Sequence, residues 1–231
     1  MKVKEIVYMI LDELHQYSDD SNITEEHIIF LAGRYRSFLL KQRYLSDLKK
    51  EIPESNYQTL CLKLEKTEAV EGIPCEGYYI RTVEKIPVTL PIGTTRLTTS
   101  GNYYSSEITY IPRDRMKYVG NNRWLQNIIY ASLAPDSRIY MTSSNPQFLY
   151  LDGEDLQVTG IFEDIEAASE LECRDENDEG NCDIFEREFP IEDALIAPLI
   201  ELVVKELSPT ITAPEDENND AQDNLAQKAK N

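Results

Sequence analysis

The hydrophobic period of this chain switches twice, from helical to strand-like and back, and that double switch limits the fold more than any single motif. Val3, Ile6, Val7, Ile10, Leu11, Leu14 and Tyr17 recur at spacings of three and four, one face of a helix over residues 3–17. The polar run Ser18-Asp19-Asp20-Ser21-Asn22 ends it. Thr24 is placed to cap a second helix. Ile23 and Ile28 flank it as a hydrophobic staple, and Glu25 and Glu26 suit the positive end of the helix. This helix is predicted to reach about Leu48. Ile28, Leu31, Ala32, Tyr35, Phe38 and Leu39 form its apolar face, with Arg34, Arg36, Lys41 and Arg43 facing outward. Two helices joined by a short loop imply an antiparallel hairpin.

After Pro53 the period becomes two. Leu60, Leu62 and Leu64 alternate with polar residues, as on a half-buried strand. Similar runs follow at 78–83, 88–90, 107–111, 127–133, 138–142, 148–151 and 156–162, mostly separated by Gly and Pro. Many of the 14 tyrosines lie in them, as expected of strand faces. Residues 163–172 read as a short helix and 174–183 as an acidic loop. Pro190 then opens a third helical segment, with Leu195, Ile196, Leu199, Ile200, Val203, Val204 and Leu207 as its stripe. Pro198 is expected to kink or restart it. A stripe this apolar needs a partner, and the N-terminal hairpin is the simplest one.

The fold class expected is therefore α+β. Residues 1–54 form a helical hairpin, and 55–162 an inserted β-rich domain, sandwich-like or barrel-like. Residues 163–207 supply the acidic loop and the helix that completes the helical module. Residues 208–231 are an extended acidic tail, predicted to be disordered until a partner orders it. No internal repeat is present.

Charge is divided as unevenly as period. Residues 1–153 carry 18 basic and 19 acidic side chains, residues 154–231 carry 5 and 23. Such a surface repels nucleic acid phosphates and suits protein partners. No apolar run approaches the ~18 residues of a membrane span, and the charged start Met1-Lys2-Val3-Lys4-Glu5 is not a signal peptide. A cytoplasmic product follows. In that compartment Cys61, Cys75, Cys173 and Cys182 are expected as free thiols, and none forms a CxxC pair for zinc.

Catalytic signatures are missing from the sequence. His15 and His27 each stand alone in a predicted helix. There is no GxSxG and no GxGxxG, and Gly72–Gly77 lacks the Lys-Ser/Thr pair of a phosphate loop. A hydrolase would need paired carboxylates in the β-rich domain, such as Asp152 or Glu154. No catalytic residue or cofactor is assigned. Residues 175–186 match a twelve-residue calcium loop, with Asp175, Asn177 and Glu179 at its first, third and fifth positions and Glu186 at its twelfth. Glu is unusual at the fifth position, and Pro190 cuts short the exiting helix. The preferred reading is a solvated acidic loop, with no metal assigned. Arg113, Arg115 and Trp124 lie in a basic and aromatic stretch of the kind favoured at protein interfaces. The alternatives are a nucleic-acid patch, disfavoured by the few bases and the acidic chain, and a strand edge blunted by charge. The interface residues expected are Arg34 and Arg36 on the second helix, Arg113, Arg115 and Trp124, and Pro214, Asp216 and Asp220 of the tail.

The order of these elements resembles the head-to-tail connector (adaptor or ring) proteins of tailed bacteriophages, as in crAss-like and short-tailed phages. The likeness is carried by DDSNITEEHIIFLAGRYRSFLLKQRYL, VTGIFED, EFPIEDALIAPLIELVVKEL and the acidic PEDENNDAQDN, in that order. The resemblance implies a structural virion protein, made in the host cytoplasm and located at the portal vertex or neck. It implies a homo-oligomeric ring, typically twelve-fold, with the portal protein and neighbouring ring or tail proteins as partners. It also implies a lumen through which DNA passes without specific binding, and no membrane association. A calcium-responsive or general protein-binding module and a plain scaffolding protein are the alternatives.

Overall fold

The computed structural model describes residues 1–15, 23–46, 50–67, 78–99, 108–116, 118–119, 128–143, 145–173 and 184–211. Its helices are α1 (Val3–His15), α2 (Glu25–Tyr44), α3 (Arg113–Met116), α4 (Ile165–Glu170) and α5 (Asp193–Ile211). Its strands are β1 (Gln58–Thr67), β2 (Tyr78–Thr82), β3 (Arg96–Thr99), β4 (Thr109–Tyr110), β5 (Tyr130–Leu133), β6 (Ile139–Ser143) and β7 (Asp155–Gly160). The fold is α+β, with helices from both chain ends and a β-rich insertion between them.

The strands form one sheet in the order β3-β7-β1-β2-β6-β5-β4, antiparallel except for the β4–β5 pair. Its two outer strands meet where the Ile108 amide donates to the Leu97 carbonyl at 3.2 Å, so the sheet is a nearly closed barrel. Closure removes the unpaired edges that would otherwise recruit foreign strands. The period of two in β1 puts Leu60, Leu62 and Leu64 inside and Lys63 outside. Across the ladder, Leu60 faces Val158 and Leu62 faces Leu156, so the apolar residues of both strands share the interior.

In the helical module, Ile6, Ile10 and Leu14 of α1, Ile28 and Leu40 of α2, and Leu199 and Val203 of α5 are all within 1% of complete burial. They belong to one apolar cluster. Thr24 caps α2 as predicted, its hydroxyl accepting from the His27 amide at 3.3 Å. α2 ends at Tyr44 rather than near Leu48. α5 runs through Pro198 without restarting and continues past Leu207 to Ile211. Leu195, Leu199 and Ile200, buried around the proline, hold the helix across the one hydrogen bond that Pro198 cannot make.

Two elements differ from the sequence reading. Residues 148–151 are not a strand but part of a 3-10 turn, Pro146–Leu151. Phe148 and Leu151 both enter the barrel core, and a spacing of three is the 3-10 repeat, not the strand repeat. Residues 88–90 make only a single bridge, Thr89 to Phe162. That segment nevertheless matters, because it carries Leu90 and Ile92 into the helical core. Gly93 follows with φ 72°, where a Cβ would stand 2.6 Å from the Tyr57 hydroxyl, so only glycine fits. Opposite, β7 ends by sending Ile161 to the helical core and Phe162 to the barrel core.

The expectation of free thiols is corrected at two positions. Cys61 and Cys173 form a disulfide. The Cys61 amide donates to Leu171 O and the Cys173 amide to Thr59 O, so the chain after α4 lies alongside the first half of β1. Reasoning from compartment cannot see this adjacency between residues 112 positions apart. Cys75 and Cys182 lie outside the described residues, as does the tail after Ile211.

Candidate functional site

The junction between barrel and helices is organised by a residue expected on the surface. Arg36 is fully buried, which corrects its assignment to an outward interface. Its guanidinium donates to Pro190 O, to Phe162 O at 2.8 Å and to Asn56 O at 2.9 Å. These acceptors belong to the approach to α5, the end of β7 and the 3-10 turn before β1. Burial pushes the Arg36 guanidinium down to about 9, which leaves it charged at neutral pH. Three carbonyl acceptors offset the desolvation. A second layer surrounds it. The Asn56 side-chain oxygen accepts from the Glu192 amide at 3.0 Å, and the Glu192 carboxylate accepts from the Tyr44 hydroxyl at 2.8 Å. Burial, reinforced by that carboxylate, raises the Tyr44 phenol to about 12. Arg43 Nε lies 3.1 Å from the same carboxylate. The sequence held a signal for this. Ala32, Arg36 and Leu40 recur at steps of four, so Arg36 sits in line with the apolar face.

Arg34, two positions away, is exposed as expected. Its neighbours one helical turn away on either side are the exposed Phe30 (59%) and Phe38 (54%). Phe38 was expected inward, but its step of four from Arg34 puts it on the outer line. His27, Lys41 and Leu45 extend this line, which carries no acid. The opposite character appears on α1, where Glu5, Tyr8, Met9, Asp12 and Glu13 are exposed. A groove of about 650 Å³ runs between α1 and α5, lined by Met9, Glu13, Ile196, Ala197, Ile200, Glu201, Val204, Lys205 and Ser208. A smaller one of about 250 Å³ lies between α2 and the start of α4.

The remaining sequence candidates separate. Arg115 is exposed and Arg113 half-buried on α3, while Trp124, Pro214, Asp216 and Asp220 lie outside the described residues. So do Asp175, Asn177 and Glu179. Glu186, the twelfth position of that loop, is held by Lys2 at 2.7 Å and by Lys4. Hydrogen bonds from those two ammonium groups pull its carboxyl down to about 2. A calcium ion there would have to displace both lysines. Among the described residues no three His, Cys, Asp or Glu side chains are grouped to hold a metal. Asp152, the hydrolase candidate, accepts from the Lys66 amide at 3.0 Å and pairs with its ammonium at 3.1 Å, which lowers its pKa. That is an ion-paired surface carboxylate, not a general acid. Among the described residues no helix is long and apolar enough to cross a membrane.

What this surface offers is protein contact: two unlike exposed helix faces on a braced, nearly closed barrel. Comparison with known proteins supplies a family. Residues 5–225 match the family described as phage tail ring protein 2. The chain is 54% identical to "Ring protein 2" of Bacteroides phage crAss001 over 227 residues, 97% of this chain and 98% of that protein. The chain belongs to the phage tail ring protein 2 family, structural proteins of the virion.

Proposed function

We propose that copies of this chain close into a ring at the neck of the virion, beneath the portal vertex, where it joins capsid to tail and continues the channel for DNA. The observation that carries this reading is the near full-length match to a phage ring protein. The charge distribution supports it. Residues 154–231, with 23 acidic and 5 basic side chains, suit a wall that DNA passes without adhering. The ring is twelve-fold in this reading. Residues 208–211 complete α5, and the rest of the 208–231 segment orders on the portal or a neighbouring ring. The division into hairpin (1–54), insertion (55–162), completing segment (163–207) and tail (208–231) gives each part a role. The helices form the ring, the barrel spaces it, and the tail docks it. No enzymatic step is involved.

The test is to mix the purified chain with the portal protein of the same genome and weigh the products by native mass spectrometry. A complex holding one copy of this chain per portal subunit is expected. A chain that stays at its monomer mass beside an intact portal ring overturns the placement.

A further inference from the structure

We infer that neighbouring copies meet head to tail, the outer face of α2 on one copy seated in the α1/α5 groove of the next. The inference rests on the ring reading above and adds the contact that closes the ring. It starts from two surfaces that share no residue. The α2 face is a line of His27, Phe30, Arg34, Phe38, Lys41 and Leu45 at steps of three and four, about 27 Å long at the helical rise. Its aromatic rings stand exposed on either side of Arg34, which has no ion-pair partner among the described residues. Lys41 is paired with Glu163 at 2.8 Å, and Phe30 and Arg34 also border the small cavity against Glu163, Asp164 and Glu166, so Arg34 is the basic group of the line left for a partner. Exposed Phe flanking an unpaired Arg is the composition of an interface centre rather than of a solvated helix face.

The receiving surface is complementary in shape and charge. The groove's floor is apolar, from Ile200 and Val204, with Met9, Ile196 and Ala197 along its sides, and its rim carries Glu13 and Glu201 against one base, Lys205. Glu5 and Asp12 add acid along α1. A projecting apolar-basic ridge and a recessed apolar-acidic groove fit each other and not themselves. The contact is therefore heterologous, and a heterologous contact propagates until its rotation closes a ring. A two-fold dimer built on the ridge alone would bring two copies of the same basic, aromatic face together.

The experiment is a charge swap in the full-length chain, read by native mass spectrometry of the chain alone and with the portal protein. Arg34→Glu is expected to lower the closed-ring fraction by about tenfold or more. Glu13→Arg with Glu201→Arg should do the same. Combining all three should restore rings, and Phe38→Ala should weaken them without rescue. All four positions are exposed, and unchanged melting of each variant excludes misfolding. Rings that form equally well in every variant overturn this contact while leaving the ring reading intact. Single variants that lose rings but are not rescued together also overturn it. Wild type that forms no closed oligomer under either condition overturns both.

Discussion

The barrel and the helical module dispose of their surfaces in opposite ways. The barrel pairs its outer strands with each other, from Leu97 to Ile108, and leaves no long edge among the described residues. The helical module buries three helices on one another yet leaves apolar side chains exposed on two of them, Phe30 with Phe38 on α2 and Met9 beside the groove on α1. The β-rich part also exposes single apolar side chains, such as Val88 and Tyr118, but on the helices Phe30 and Phe38 stand on one line. In the ring reading proposed above, the helices rather than the barrel supply the contact between copies.

The strongest way to break this contrast is Leu199→Asp, which puts a charge at a fully buried position in the helical core. It should cost about 4 kcal/mol or more, melting the helices before the barrel in a far-ultraviolet thermal scan. A melt like wild type would show that α5 does not hold the module. Next comes Arg36→Met, which leaves three buried carbonyls unpartnered at the junction. About 3 kcal/mol should be lost by denaturant titration. If barrel and helices are one cooperative unit, fluorescence and circular dichroism will shift together; separate shifts would make them independent.

Cys61→Ser acts on the barrel side. It removes a bridge spanning 112 residues and should cost about 2–4 kcal/mol, matched by adding reductant to wild type. A variant whose midpoint moves no further than its reduced parent confirms the assignment. The smallest effect concerns Glu186. Its carboxyl lies at about 2 against an ordinary 4.5 because of Lys2 and Lys4. A depressed carboxylate contributes stability above pH 4.5 and loses it as pH falls from there through about 2. In an NMR titration, Lys4→Ala should move the Glu186 midpoint upward toward 4.5, with little change in melting at neutral pH.

Period and capping were the legible part. The leucines of β1, the Thr24 cap and the stripe of α5 follow from local rules, and local rules placed them. Arg36 and Phe38 show where such rules stop. Each was assigned by residue type, Arg outward and Phe inward, whereas the helix assigns by angle. Arg36 is tolerated inside only because three distant carbonyls converge on it, which no local pattern announces. The Cys61–Cys173 bridge failed for the same reason. Its partners meet only once the chain has laid the segment after α4 along β1. Phe148 and Leu151 were misread because four apolar-rich residues contain too little period to separate a strand from a 3-10 turn.

The α1/α5 groove also imposes an order in time. α1 leaves the ribosome first, and α5 only after the whole β-rich insertion has been made. Until Ile196 and Ala197 arrive, Met9 lines no groove at all. A half-made chain can therefore present the ridge of α2 but has nothing to receive it. If the ridge seats in that groove, polysomes crowded with nascent copies cannot polymerise on themselves, and the last helix acts as a release signal that only a completed subunit carries.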